Sequence, residues 1–227
     1  MPEGLRRAMA AVVAAGVLLT LGGCNILGFA GAMVENNRRN STHPVEAQYK
    51  GLKGNQWAVI VVADRIIQAD NPALVTYLTQ KMTERLSDPK QGQGQIGAAG
   101  CIPADRLLRY LYENPRWTAL PRSQLAKELG VNRLIILELS EYQLHDPGNQ
   151  YLWAGVAAGS VGVIEADGRV PDEFAFEQPV KVSFPDKDGY GPEEMSVEMV
   201  STELARRVVD RASWMFYLHE EPYYPKY

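Results

Sequence analysis

The chain has 227 residues, 46% apolar and 22% charged, with a formal net charge of −4 at pH 7. That is material for one sizeable hydrophobic core and no second full domain. The acidic balance excludes a general nucleic-acid or anionic-lipid surface, since both depend on clustered Lys and Arg, and two cysteines, Cys24 and Cys101, exclude a disulfide framework.

Arg6 and Arg7 precede an apolar run over residues 8–19, and Leu21, Gly22 and Gly23 stand directly before Cys24. This is the layout of an export signal. A spanning helix needs roughly 20 predominantly apolar residues, and Thr20 with the glycine pair interrupts the run where a span should continue. The stretch L-G-G-C resembles the bacterial lipobox. That resemblance implies that signal peptidase II recognises Leu21, Gly22 and Gly23, removes residues 1–23 and leaves diacylglycerol on the Cys24 sulfur. The small residues let the backbone enter the peptidase site, and a thiolate is the nucleophile that accepts lipid. Two or more acyl chains make anchoring stable where one does not. Asn25, where an aspartate would favour inner-membrane retention, implies the outer membrane and its periplasmic face. Two other readings of these residues are an uncleaved anchor helix and a soluble-protein signal with an incidental cysteine. Without residues 1–23 the chain carries 21 basic and 26 acidic residues, a net −5. With Cys24 acylated, Cys101 is expected to be a buried or partly buried free thiol, an intermolecular disulfide being the alternative reading.

Residues 24–56 show no sustained period and are rich in Gly, Asn and charge, which predicts a flexible tether. Ile26, Leu27, Phe29 and Met33 would lie near the membrane interface. An α/β domain is predicted over 57–218, with 219–227 a proline-punctuated irregular tail. The run W-A-V-I-V-V-A at 57–63 is apolar without alternation, the mark of a strand covered on both faces. Asn71-Pro72 reads as a helix start, with Leu74, Val75, Leu78, Met82 and Leu86 at helical spacing until Ser87-Asp88-Pro89. Gly92, Gly94 and Gly97 spell G-x-G-x-x-G, but they follow a helix and no acidic ribose ligand stands at the required interval, so they predict a loop flanking a short strand around 96–102 and not a nucleotide site. A helix over 103–113 turns Leu107, Leu108 and Leu111 inward. A short one from Leu120-Pro121 carries Leu125, Ala126 and Leu129 and ends at Gly130. Strands follow near 133–142, 152–166 and 174–184, with a hairpin signal at Asp167-Gly168. The last helix spans 192–218, with Val197, Val200, Leu204, Val208, Met215 and Leu218 on one face. The order β-α-(β)-α-α-β-β-β-α predicts a single α/β (α+β) domain with a mixed sheet of four or five strands packed by helices.

The opening strand W-A-V-I-V-V-A-D, the junction L-A-K-E-L-G-V-N-R-L-I-I-L-E-L and the hairpin V-G-V-I-E-A-D-G resemble the α/β domain shared by the N-terminal domain of TolB, the curli-secretion lipoprotein CsgG and the peptidoglycan-synthase activator LpoB. The resemblance covers about residues 56–218 and is similar in length and layout to uncharacterised envelope lipoproteins. It implies a non-enzymatic envelope component that binds other proteins, and it brings no catalytic residue and no cofactor. Transmembrane hairpins of the CsgG type need about 9 to 11 alternating residues per strand, and A-G-V-A-A-G-S-V-G lacks a lipid-facing alternation.

His43, His145 and His219 have no metal-ligand spacing to one another or to Cys101. No hydrolase motif is present. Asp64 ends the first strand, where open α/β sheets place ligands, and Glu138 interrupts an apolar strand on the face of Leu134 and Ile136. A buried carboxylate needs a partner, which Arg65 or a neighbouring helix arginine would supply. Three functions are therefore in view: a lipid-anchored adaptor or assembly factor, a small-ligand or enzymatic site near Asp64, and a structural protein that homo-oligomerises through its last helix.

Overall fold

The computed structural model describes residues 41–90 and 92–223. They fall into two compact units, a small one that contains most of strands β1 (Thr42–Val45) and β7 (His219–Pro222), and a large one of residues 45–219. In the small unit β1 and β7 form a two-stranded sheet, and the Thr42 hydroxyl donates to Glu220 at 2.7 Å. The expected tether therefore ends before residue 56, and the tail begins as a strand. Inside the large unit Tyr49 and Leu52 are buried, and the N–H groups of Gln48 and Tyr49 both donate to the Met215 carbonyl. These are isolated apolar residues without a period, so only the tertiary contact reveals them.

The large unit holds a five-stranded mixed sheet in the order β3-β2-β4-β5-β6, made of β2 (Gln56–Ala63), β3 (Gly100–Cys101), β4 (Arg133–Gln143), β5 (Gly155–Glu165) and β6 (Phe174–Phe184). β2 pairs parallel with β3 and β4, and β4, β5 and β6 form an antiparallel meander. The α/β class with a mixed sheet is as the sequence predicts. Six helices lie among the described residues: α1 (Arg65–Asp70), α2 (Leu74–Ser87), α3 (Gln93–Ile96), α4 (Ala104–Glu113), α5 (Arg122–Leu129) and α6 (Val197–Trp214). None is long and apolar enough to cross a membrane.

The unbroken apolar run of β2 has a direct cause. Trp57, Val59 and Val61 face one core layer with Leu78, Met82, Leu204 and Val208 of α2 and α6, while Ala58 and Ile60 face a second layer with Leu107 of α4 and Leu125 of α5. Both faces are dry, so no alternation is needed. Along β5 and β6 the second layer reaches only Ile164 and Phe174, and beyond them only the first face is covered. There Val161 and Val182 are buried, whereas Pro179 and Lys181 are exposed.

The helix boundaries correct the sequence in two places. Asn71 does not start a helix; its N–H bonds the Ile67 carbonyl and closes α1, a helix the reading omits, while Ala73 is the cap of α2 and makes no side-chain bond. α6 is shorter than 192–218 because Ser196 caps it and Met215 ends it, which leaves Val197 and Leu218 about half exposed, off the buried stripe. Gly130 does end α5 in the left-handed region, at φ 70° with nothing near a would-be Cβ. Gly130→Ala is expected to cost about 1 kcal/mol through backbone strain alone, read as a shift in the urea midpoint at constant slope.

Polar contacts inside the body tie α6 to its neighbours. Asp210, buried on α6, pairs with Arg85 of α2 at 2.8 Å and with Arg206. Arg207, also buried, donates to Asp186 at 2.6 Å and to the Ser183 carbonyl at 2.8 Å. The Arg206 guanidinium, with help from Arg207, holds the Glu203 carboxyl below the ordinary carboxylate range. A depressed carboxylate contributes stability above its unfolded pKa of about 4.3 and loses it as pH falls through the folded value. Denaturation midpoints should therefore decline as pH is lowered below about 4.3, and Glu203→Gln should make that decline shallower.

Candidate functional site

The lipidation residue Cys24 and the recognition residues Leu21, Gly22 and Gly23 lie outside the described residues. The other sequence candidates can be placed. Asp64, at the end of β2, accepts the Ile67 N–H at 2.8 Å and serves as the N-cap of α1, so its carboxylate already satisfies a local backbone donor. Arg65 is exposed and joins neither carboxylate in an ion pair among the described residues. Glu138 does share a face with Leu134 and Ile136, but its side chain is 45% exposed and its cation is Arg122 of α5, at 3.7 Å. Arg122 also lies over the Phe174 ring, 4.2 Å from its centre. Asp64 and Glu138 are thus engaged by different local partners, a backbone N–H and Arg122, and no ion pair among the described residues joins them through Arg65. Cys101 is a partly exposed free thiol, and burial pushes its pKa up, away from the reactive thiolate. Among the described residues no group of three or more His, Cys, Asp or Glu side chains could hold a metal ion.

A different site forms at the carboxyl ends of the parallel strands. β6 runs parallel to β4, because both are antiparallel to β5. The connections after β2, β4 and β6 therefore emerge at the same end of the sheet, beside the first turns of α6. Hydrogen bonds tie the connections after β4 and β6 to each other, and β4 to α6. Trp153 donates from Nε1 to the Met195 carbonyl at 2.9 Å and from its backbone to Tyr190, and the Tyr142 hydroxyl donates to the Ser201 carbonyl at 3.0 Å. Burial pushes the Tyr142 phenol above its ordinary pKa, which keeps it a neutral donor. The His145 ring stacks on Trp153 with centres 4.4 Å apart.

On this braced frame lies a cleft of about 260 Å³ between the start of α2 and α6, with Pro72, Leu74 and Tyr77 on one wall and Ser201, Thr202 and Ala205 on the other. Several apolar side chains are exposed at this end of the sheet. Ile66, Tyr151, Leu152, Val197 and Met199 are 72, 84, 40, 46 and 55% exposed. Scattered apolar side chains on a surface are ordinary; five on two connections and the first turn of α6, all at one end of the sheet that also carries a cleft, suit that end to holding the side chains of another molecule. Two signals in the sequence point to it. Tyr151-Leu152 interrupts a polar turn, and Met199 falls off the buried stripe of α6.

No protein-family model matches the chain, and no curated protein matches it. Among solved structures it is similar to the PelC dodecamer from Paraburkholderia phytofirmans, at 10% identity over 78% of this chain and 97% of that one, TM-score 0.41. It is also similar to lipoprotein GNA1162 from Neisseria meningitidis, at 9% identity over 69% of this chain and 97% of that one, TM-score 0.43. A third likeness is to the hypothetical protein CT253 from Chlamydia trachomatis, at 16% identity over 72% and 98%, TM-score 0.39. At such identities and TM-scores none of these likenesses transfers a function to the chain, and membership of the TolB, CsgG or LpoB families is not shown.

Proposed function

We propose that this chain is a cell-envelope protein, held at the periplasmic face of the outer membrane by acyl chains on Cys24, whose α/β body is a non-enzymatic protein-binding module. The observation that carries the anchoring is the order Arg6-Arg7, apolar run, L-G-G-C. A diacylated residue supplies membrane affinity that a soluble α/β body lacks. The module half is supported by the apolar end just described, where rigidly braced connections offer an aromatic, an aliphatic and a thioether side chain to a partner.

The test is the intact mass of the native protein from envelopes. A polypeptide starting at Cys24 and heavier by acyl groups is the expected result. A protein that keeps residues 1–23, or has the mass of bare polypeptide, overturns the anchoring.

A further inference from the structure

The connections at the carboxyl end of the sheet, residues 64–73, 144–154 and 185–198, are strongly acidic as well as apolar. Between Asp186 and Glu198 the chain carries five carboxylates against Lys187 alone, and Asp64, Asp70 and Asp146 add three against Arg65. This one end is at −6 in a chain whose total is −4. Some of these carboxylates have internal duties: Asp186 pairs with Arg207, Asp64 caps α1 and Glu194 accepts the Gly191 N–H at 2.7 Å. Asp70, Asp146, Asp188, Glu193 and Glu198 are exposed and have no ion pair among the described residues. The fold does not need their charge in a cross-chain contact, and they lie on the same connections, at the same end of the sheet, as exposed Tyr151, Leu152 and Val197, with Met199 in the first turn of α6.

We infer that this end docks a basic amphipathic segment of another protein, one that sets apolar side chains against Tyr151, Leu152 and Met199 and Lys or Arg against the surrounding carboxylates. The inference rests on the reading of the body as a protein-binding module. Charge decides among the occupants. A second copy presenting the same end would set −6 against −6, and an anionic bilayer or a nucleic acid would meet the same repulsion. An apolar but neutral segment would use the patch and leave the carboxylates unmatched. Tyr and Met suit this contact, the first as a rigid anchor with little entropy to lose, the second as an adaptable one. The patch is also clear of the point where the chain joins the body. Gln48 and Tyr49 bond Met215 at the far end of α6, an 18-residue helix whose length is roughly 27 Å at 1.5 Å per residue.

The experiment places a photoreactive phenylalanine analogue at Tyr151 of the full chain in intact envelopes, with Tyr112 on α4 as a control position of equal exposure, and sequences the captured segment. The expected product from Tyr151 is a Lys- or Arg-rich segment with interspersed apolar residues. Its yield should fall on the order of tenfold or more in the Asp188→Lys, Glu193→Lys variant and on washing in high salt. Neither residue makes an ion pair among the described residues, and an unchanged melting temperature verifies the fold. Capture of a second copy, capture of a segment without net positive charge, or a yield indifferent to both charge reversal and salt overturns the inference while leaving the module reading in place. If neither Tyr151 nor Tyr112 nor any other exposed position captures protein, the module reading itself falls, and the inference with it.

Discussion

Cys24→Ser should reduce incorporation of labelled fatty acid into the protein to background, a loss on the order of a hundredfold or more, and replace the mature band by a precursor that keeps residues 1–23. A serine hydroxyl is nearly the same size as the thiol but supplies no thiolate at neutral pH, so the lipid transfer has no nucleophile. Without that lipid the lipobox resemblance implies no cleavage. The precursor's own apolar run could still hold it to a membrane, so fractionation alone does not decide the matter. A cleaner comparison places residues 25–227 behind an ordinary cleavable export signal. Each buried CH₂ is worth about 0.8 kcal/mol, so losing every acyl chain should move the body from the membrane pellet to the soluble fraction. A Cys24→Ser protein that still takes up label, or a released body that still sediments with membranes, would overturn the anchor.

The second large effect is Gly159→Val. Gly159 pairs with Leu139 where the β4–β5 register shifts between Leu139 and Glu141, and a Cβ added to it would stand 2.0 Å from the Glu138 carbonyl oxygen and 3.0 Å from the Leu139 Cα. Both are backbone atoms of the neighbouring strand, so relief requires opening the ladder at its bulge. The cost is expected at about 3 kcal/mol or more, at or beyond the upper end for overpacking. For a body of this size that lowers Tm by roughly 6 to 12 °C. Gly162→Ala makes the control. Its nearest atoms, at 2.3 and 2.4 Å, belong to the Phe174 ring, which can swing aside, so it should cost clearly less. Equal losses at the two glycines would refute the backbone account.

The elements legible in the sequence were those whose cause is local. The β2 run, the Leu107 and Leu125 helices, the αL stop at Gly130 and the last hairpin all follow from periodicity or from one residue's conformational freedom. The mixed character of the sheet follows from the order of its elements. What the sequence hid depends on distant partners. Tyr49 and Leu52 look like stray apolar residues in a polar stretch until the chain returns at Met215. Residues 219–222 look irregular until β1 pairs with them. Asn71-Pro72 mimics a helix start because the same residue types also close helices. The Asp64 candidate was reasonable from its place at a strand end, yet the carboxylate is taken up by the turn it helps to build. The exposed apolar end is assembled from segments as far apart as Ile66 and Met199, and no window of sequence contains it.

β6 is the long free edge of the sheet, and its defences have a consequence for crowding. Pro179 has no amide hydrogen to lend, and Arg207 already occupies the carbonyl of Ser183. Molecules leashed to a surface share a thin layer and brush against one another sideways far more often than they would in open solution. An edge interrupted at those two points is a poorer template for a further strand, so on the proposed anchor such grazing encounters are less prone to zip copies into fibres.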